Sequence, residues 1–193
     1  VGYVSSGNCL AIAPVADSLK AFTILYDCGT PRVFEEASYE YVFRTAATAV
    51  MDSVALARYM KSRGIKFSSY AGINQNYAWG QDSWADFSAS MKQLFPNAAI
   101  KTSLFPKFGA GQYGTEISAL LRAKPGLLHS SLWGGDLQGF ILQAGARGLF
   151  RRMTVALAAG DHVIPKLGNK MPDGVILGAR GVNGLAAYAR PTR

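Results

Sequence analysis

Apolar positions along residues 45–179 switch repeatedly between two spacings. In DSWADFSASMKQLFPN (82–97), Trp84, Phe87, Met91, Leu94 and Phe95 fall at i, i+3, i+7, i+10 and i+11. That spacing gathers them on one face of a helix, with Asp82 as its N-cap and Pro96 just past its end. MDSVALARYMKSRG (51–64) reads as a helix stopped by glycine, and YGTEISALLRAK (113–124) as another. GDLQGFILQAGARG (135–148) places Leu137, Phe140, Ile141 and Ala144 on one stripe. Between these lie shorter apolar runs that read as strands: IKFSSYAGI (65–73), AAIKTSLF (98–105), GLLHSSL (126–132), MTVALA (153–158) and GVILGA (174–179), with a short helix over 161–168. Strands that are nearly continuous apolar runs, separated by helices, predict an α/β fold: a parallel sheet with helices on both faces. Residues 45–179 therefore read as one complete layer structure.

The first 44 residues do not. VGYVS (1–5) reads as the end of a strand, 8–20 as a helix, and FTILY (22–26) and YVFRT (41–45) as strands. That is too little to close a domain. Either this part packs onto the later sheet, or its partners lie outside these residues.

Composition narrows the class. With 193 residues and 49% hydrophobic content the chain can bury a core in one or two domains. A charged fraction of 17% argues against a disordered chain or a coiled coil. The net charge of +8 raises the question of nucleic acid, yet Lys and Arg are scattered rather than gathered on one face. Arg151–Arg152 and the Lys166/Lys170 neighbourhood are the closest groupings, so no nucleic-acid partner is expected. No apolar run approaches the ~18 residues of a membrane span, and no charged leader precedes an apolar stretch. The chain starts at Val1, so a processed or cut product is expected. Cys9 and Cys28 are too few and too far apart for a zinc site and form no CxxC. Two free buried thiols and one disulfide in an oxidising compartment both remain open. No cofactor or metal is expected.

Open parallel sheets bind ligands beyond the carboxyl ends of their strands. After the first strand come Ser5, Ser6, Gly7 and Asn8 at the head of a helix. Hydroxyls beside free helix N–H groups suit a carboxylate or phosphate, though on these residues alone simple N-capping is the favoured reading. After FTILY come Asp27, Cys28, Gly29, Thr30 and Pro31. After SYAGI, the segment GINQNYAWGQD brings Tyr77 and Trp79, and after LLHSSL come Trp133, Gly134, Gly135 and Asp136. After MTVALA come Ala159, Gly160 and Asp161. Two strand ends thus carry a Trp followed by Gly, an arrangement suited to sandwiching an organic ligand. Signs of catalysis are lacking. His129 and His162 have no metal-ligand spacing and read as structural, and no nucleophile elbow, phosphate loop or dinucleotide fingerprint occurs. FGAGQYG (108–114) reads as a flexible connection.

Several segments, in order and across nearly the whole chain, resemble the substrate-binding proteins of branched-chain amino acid ABC transporters. They include APVADSLKAFTILYDCGTP, YVFRTAA, QNYAWGQDSWADFSASMKQLFP, PKFGAGQYGTEISALLRAKPGLLHSSLWGGDLQGFILQAGARGL and MPDGVILGARG. These proteins have the type I periplasmic binding fold: two lobes that trap a ligand in the cleft between them. The resemblance implies one nearly complete lobe over 45–179 and part of the other over 1–44, with 180–193 returning toward it. FRTA (43–46) matches the first crossing between lobes and GARG (178–181) the second. Family members are longer, so the chain is expected to be a fragment. Its apolar edges would be exposed or paired with another copy, and on its own it is expected to bind ligand weakly or not at all.

By the same resemblance Ser6 matches the serine that holds a ligand carboxylate, and Thr30 the threonine bridging carboxylate and amino group. Gly29 matches the residue whose carbonyl accepts from that amino group. Trp79 matches the aromatic that covers the ligand, and Trp133 lies near another. One position departs: where amino-acid binders carry a Glu, this chain has Ala159. A buried ammonium without a counter-charge costs several kcal/mol, so an aromatic or aliphatic acid becomes an alternative to an amino acid unless Asp27 or Asp136 substitutes. The expected function is non-enzymatic binding of a small carboxylate-bearing solute, in the periplasm or outside the cell, for delivery to a membrane ABC permease. Ser5, Ser6, Asp27, Gly29, Thr30, Tyr77, Trp79, Trp133, Asp136 and Gly160 are the expected ligand-binding residues. A ligand-sensing domain of a receptor or regulator is the alternative of the same fold, and a small α/β enzyme the alternative of another class.

Overall fold

The structure, a computed structural model, describes residues 1–179. The expected return segment 180–193, and the second half of the GARG crossing, lie outside the described residues. A five-stranded sheet is built from β3 (Ser69–Ile73), β4 (Ala99–Leu104), β5 (Leu127–Ser130), β6 (Thr154–Leu157) and β7 (Ile176–Leu177). Its order is β4-β3-β5-β6-β7, with every neighbouring pair parallel. Parallel strands need crossovers, and the helices supply them on both faces. Successive side chains of a strand point to opposite faces, and β5 shows the consequence. Leu127 joins Tyr70, Leu56, Met60, Phe87 and Met91 under α3 (Ala49–Ser62) and α4 (Ala78–Leu94). Leu128 joins Ile117, Leu120, Leu137, Phe140 and Ile141 under α5 (Gly114–Ala123) and α6 (Gly134–Ala146). The central strands β3 and β5 are buried throughout. That is why their sequences show no alternation of buried apolar and exposed polar positions.

Residues 1–44 form a smaller unit. β1 (Thr23–Leu25) and β2 (Val42–Arg44) pair in parallel, and the expected N-terminal strand shrinks to a single bridge from Gly2 to Leu25. α1 (Ser6–Ser18) covers one face, burying Cys9, Ala13 and Ala16 against Leu25, Cys28, Val33 and Val42. A one-turn helix, α2 (Arg32–Glu35), follows β1 and was not legible in the sequence. Cys9 and Cys28 form a disulfide across Cα atoms 6.3 Å apart, which settles the open alternative. The other face stays exposed, with Phe22 tilted against Phe43, their ring centroids 5.4 Å apart.

Two boundaries depart from the sequence reading in a way that matters for the site. β3 begins at Ser69, because residues 65–68 approach the sheet as irregular chain ending in a bend. α4 begins at Ala78, with extended Tyr77 rather than Asp82 at its cap position. The earlier start needs Gly80, where a Cβ would collide with the Gln75 carbonyl. Trp79 therefore sits in the first turn of a helix and not on a loop.

Candidate functional site

The strand order reverses around β3: β4 lies on one side of it and β5 on the other. Ligands of open α/β sheets favour such a switch point, and the segments after β3 and β5 are the ones carrying the aromatic rings. A cleft of about 670 Å³ opens there, between the carboxyl ends of the large sheet and the small β1–β2 unit.

The large-sheet wall is made of rings fixed by hydrogen bonds. Trp79 is only 5% exposed, and its indole N–H donates to the Ser131 carbonyl at 2.8 Å. Ser131 is itself held by Asn74, whose Oδ1 accepts from its N–H and its hydroxyl. The Trp133 indole N–H donates to the Tyr77 hydroxyl at 2.8 Å. Phe108 packs on both rings, 5.5 Å from Tyr77 and 5.6 Å from Trp133. The loops after β3 and β5 are thereby joined across the switch point. Tyr77, Trp79 and Trp133 all line the cleft.

The opposite wall is polar and backbone-rich. Ser6 is the first residue of α1, where N–H groups lack intrahelical partners. It lines the cleft, and its Oγ accepts from Thr30 N–H at 3.1 Å. Ser5 holds the cap position but makes no side-chain cap bond. Gly29 lines the cleft, and its carbonyl accepts from Ala49 N–H at 2.7 Å. Asp27 and Tyr26 flank it. Small residues Thr45, Ala46 and Ala47, where the chain passes from β2 to α3, form the floor. Beyond β6, Ala159, Asp161 and His162 also line it, and Val4 and Ala179 complete the lining. His162 Nε2 accepts from Gly134 N–H at 2.8 Å. Burial holds its pKa below the ordinary value, the neighbouring Asp161 carboxylate pulling the other way.

Of the expected residues, Ser6, Asp27, Gly29, Tyr77, Trp79 and Trp133 lie on the cleft surface, and Ser5, Thr30, Asp136 and Gly160 are not among its lining residues. Thr30 is fully buried, its hydroxyl donating to Asp82 at 2.6 Å. Asp136 is buried behind the wall, accepting from Gln75 Nε2 at 2.7 Å and from Gly109 N–H at 2.8 Å. It therefore fastens the 108–114 connection that the sequence suggested was flexible. Gly160 packs against Leu177 and Leu157, where a side chain would not fit. Sequence reasoning missed Tyr26, the 45–47 floor and the pair Asp161–His162 as lining. Asp161 and His162 directly follow a strand end already singled out, so position was the available signal. The floor carries no chemical signature at all. Among the described residues no group of three His, Cys, Asp or Glu could hold a metal ion.

The sequence model of the family described as Periplasmic binding protein matches residues 1–189. None of the curated proteins compared matches the chain. Solved structures do. A solute-binding protein of an ABC transporter from Rhodopseudomonas palustris BisB5, in complex with 3,4-dihydroxybenzoic acid, is 22% identical with a TM-score of 0.76, over 88% of this chain and 46% of its own. An amino acid ABC transporter substrate-binding protein from Pseudomonas fluorescens Pf-5 is 17% identical with a TM-score of 0.80, over 93% and 48%. A leucine binding protein from Thermotoga maritima MSB8 is 19% identical with a TM-score of 0.71, over 88% and 47%. At these identities the likeness shows the fold alone. The chain spans a little under half the length of these relatives.

Proposed function

The chain belongs to the periplasmic binding protein family, and from that premise we propose that it contributes most of the binding cleft of a solute receptor serving an ABC permease outside the cytoplasm. The solute is a small carboxylate-bearing molecule, an aromatic acid or an amino acid. Residues 45–179 act as one lobe, and residues 1–44 belong to the other. The observation that carries this reading is the pairing of unlike walls across a single cleft of about 670 Å³. Ser6 at the start of α1 offers hydrogen-bonding groups suited to a carboxylate, while Trp79, Trp133 and Tyr77 offer ring faces suited to an organic body. Structures of similar fold in complex with benzoate and with 4-hydroxybenzoate support the acid, and the leucine binding protein supports the amino acid. The role is binding and not turnover.

The test uses the full-length protein and tryptophan fluorescence, since two of the three tryptophans line the cleft. Titration with benzoate, 4-hydroxybenzoate and L-leucine is expected to give a saturable change for at least one, weakened about tenfold or more in Ser6→Ala. The reading fails if none of these solutes binds, or if the bound solute is chemically altered on release.

A further inference from the structure

We propose that Asp82 is a clasp holding the two walls of the cleft together, and that its release opens the cleft. The proposal relies on the solute-binding reading only for its consequence, faster escape of solute. The clasp itself stands on geometry. Asp82 lies three residues beyond Trp79 in α4, so both side chains project to one side of the helix. Trp79 lines the cleft, whereas the Asp82 carboxylate reaches across to the other wall. The Thr30 hydroxyl donates to its Oδ2 at 2.6 Å. Arg32 Nε lies 3.2 Å from Oδ1 and 3.3 Å from Oδ2. Both partners belong to the segment that follows β1.

That segment is also cleft surface. Gly29 lines the cavity, and Thr30 N–H donates to Ser6 Oγ, another lining group. One carboxylate thus ties the wall carrying Ser6 and Gly29 to the wall carrying Trp79. The Thr30 hydroxyl oxygen accepts from Arg32 N–H at 3.3 Å while its proton goes to Asp82. In this arrangement Thr30 serves the clasp and does not face the solute. Arg44 Nη1 donates to the carbonyls of Thr30 and Cys28, at 2.6 and 3.2 Å. It binds the segment to its own sheet, so the segment travels with the small unit when the clasp opens. A second tie, from Ala49 N–H to the Gly29 carbonyl, lies beside the covalent passage at 45–48. Asp82 is a noncovalent tie away from that passage, so it can break without unfolding either sheet. Charge-assisted hydrogen bonds to a carboxylate only 15% exposed exceed an ordinary surface ion pair.

Amide hydrogen exchange of the full-length protein, with no solute present, reads the clasp directly. Asp82→Ala is expected to speed exchange in 28–33 at least tenfold and to leave β5 unchanged. Asp82→Asn keeps an acceptor for Thr30 and drops the charge. In the unsubstituted protein, raising NaCl from about 0.05 to about 1 M should speed exchange in 28–33 roughly threefold, and Asp82→Asn should abolish that salt response. Adding Arg32→Gln to Asp82→Asn should change little more, because both remove one interaction. Stopped-flow fluorescence with benzoate and L-leucine as probes should show dissociation about tenfold faster in Asp82→Ala for whichever binds. Unchanged exchange in 28–33, or equal acceleration throughout β5, would overturn the clasp. Accelerated exchange with unchanged dissociation would overturn its control of the cleft. If neither probe binds, the solute-binding reading falls, and the exchange measurement still decides the clasp.

Discussion

The two walls of the cleft are held in place by different physics. The Trp79 side hangs from a five-stranded sheet with helices on both faces, and its rings are fixed by hydrogen bonds from their own polar tips. The Ser6 and Gly29 side rests on two short strands, one helix and a small core. There a disulfide does what packing does on the other side. Cys28 stands directly between Asp27 and Gly29, and Cys9 lies three residues beyond Ser6, so the crosslink fixes the two segments that line this wall. A small unit with little apolar area to bury gains most from such a staple.

The largest expected effect comes from breaking the packed wall. Trp79→Ala should cost about 3–5 kcal/mol, because it removes a buried ring and leaves a cavity. Chemical denaturation should show this as a lower midpoint with an unchanged slope. A loss under 1 kcal/mol would mean the wall does not depend on that ring. Next comes the stapled wall. The cysteines are 19 residues apart, and closing a loop of that size in the unfolded chain is worth about 3 kcal/mol. Replacing both with serine should therefore make residues 1–44 sensitive to limited proteolysis while β3 and β5 keep their exchange protection. Equal loosening of both regions would erase the distinction between the walls.

The smallest effect is a dependence on pH. His129 is fully buried, stacked 4.1 Å from Phe87, with no hydrogen bond to either ring nitrogen among the described residues. Burial lowers its pKa to about 3. A base whose folded pKa is depressed stabilises fully above its unfolded value near 6.5, and that stability drains as the pH falls toward 3. At pH 5 the loss is about 2 kcal/mol. Asp86 opposes it. Burial, then the carboxylates of Asp82 and Glu35, raise its pKa to about 6. A carboxyl group with a raised folded pKa stabilises most below its unfolded value, near 4, and loses that contribution as the pH rises through 6. The unsubstituted protein should thus have a shallow acid limb. Asp86→Asn should steepen it and His129→Leu should flatten or invert it, as thermal melts from pH 7 to 5 would show. Parallel melts in all three proteins would refute both assignments.

Much of the large unit was legible because its signals are local. The stripe of Phe87, Met91 and Leu94 needs only helical spacing to be read, and the apolar run at β5 needs only its two buried faces. Boundaries were less legible where a distant contact set them. Asp82 has the chemistry of a helix cap, but Arg32 and Thr30, about fifty residues earlier, take its carboxylate. Asp136 follows a strand end as a binding residue would, yet Gln75 and Gly109 turn it inward. The site was half legible for the same reason. Gly29, Trp79 and Trp133 follow strand ends and Ser6 opens a helix, places where topology alone predicts a cleft. Nothing about Thr45, Ala46 and Ala47 distinguishes a cleft floor from any other small residues.

By itself the sequence determined the α/β class, the parallel sheet and the strand ends at which a solute could lie, because hydrophobic periodicity and glycine placement act over a few residues. Tertiary structure alone decided which polar groups at those ends face the cleft. It joined Cys9 to Cys28, gave Thr30 to Asp82, and sent Asp136 behind the wall. A buried polar group must find a partner, and which partner comes within reach depends on how distant segments pack.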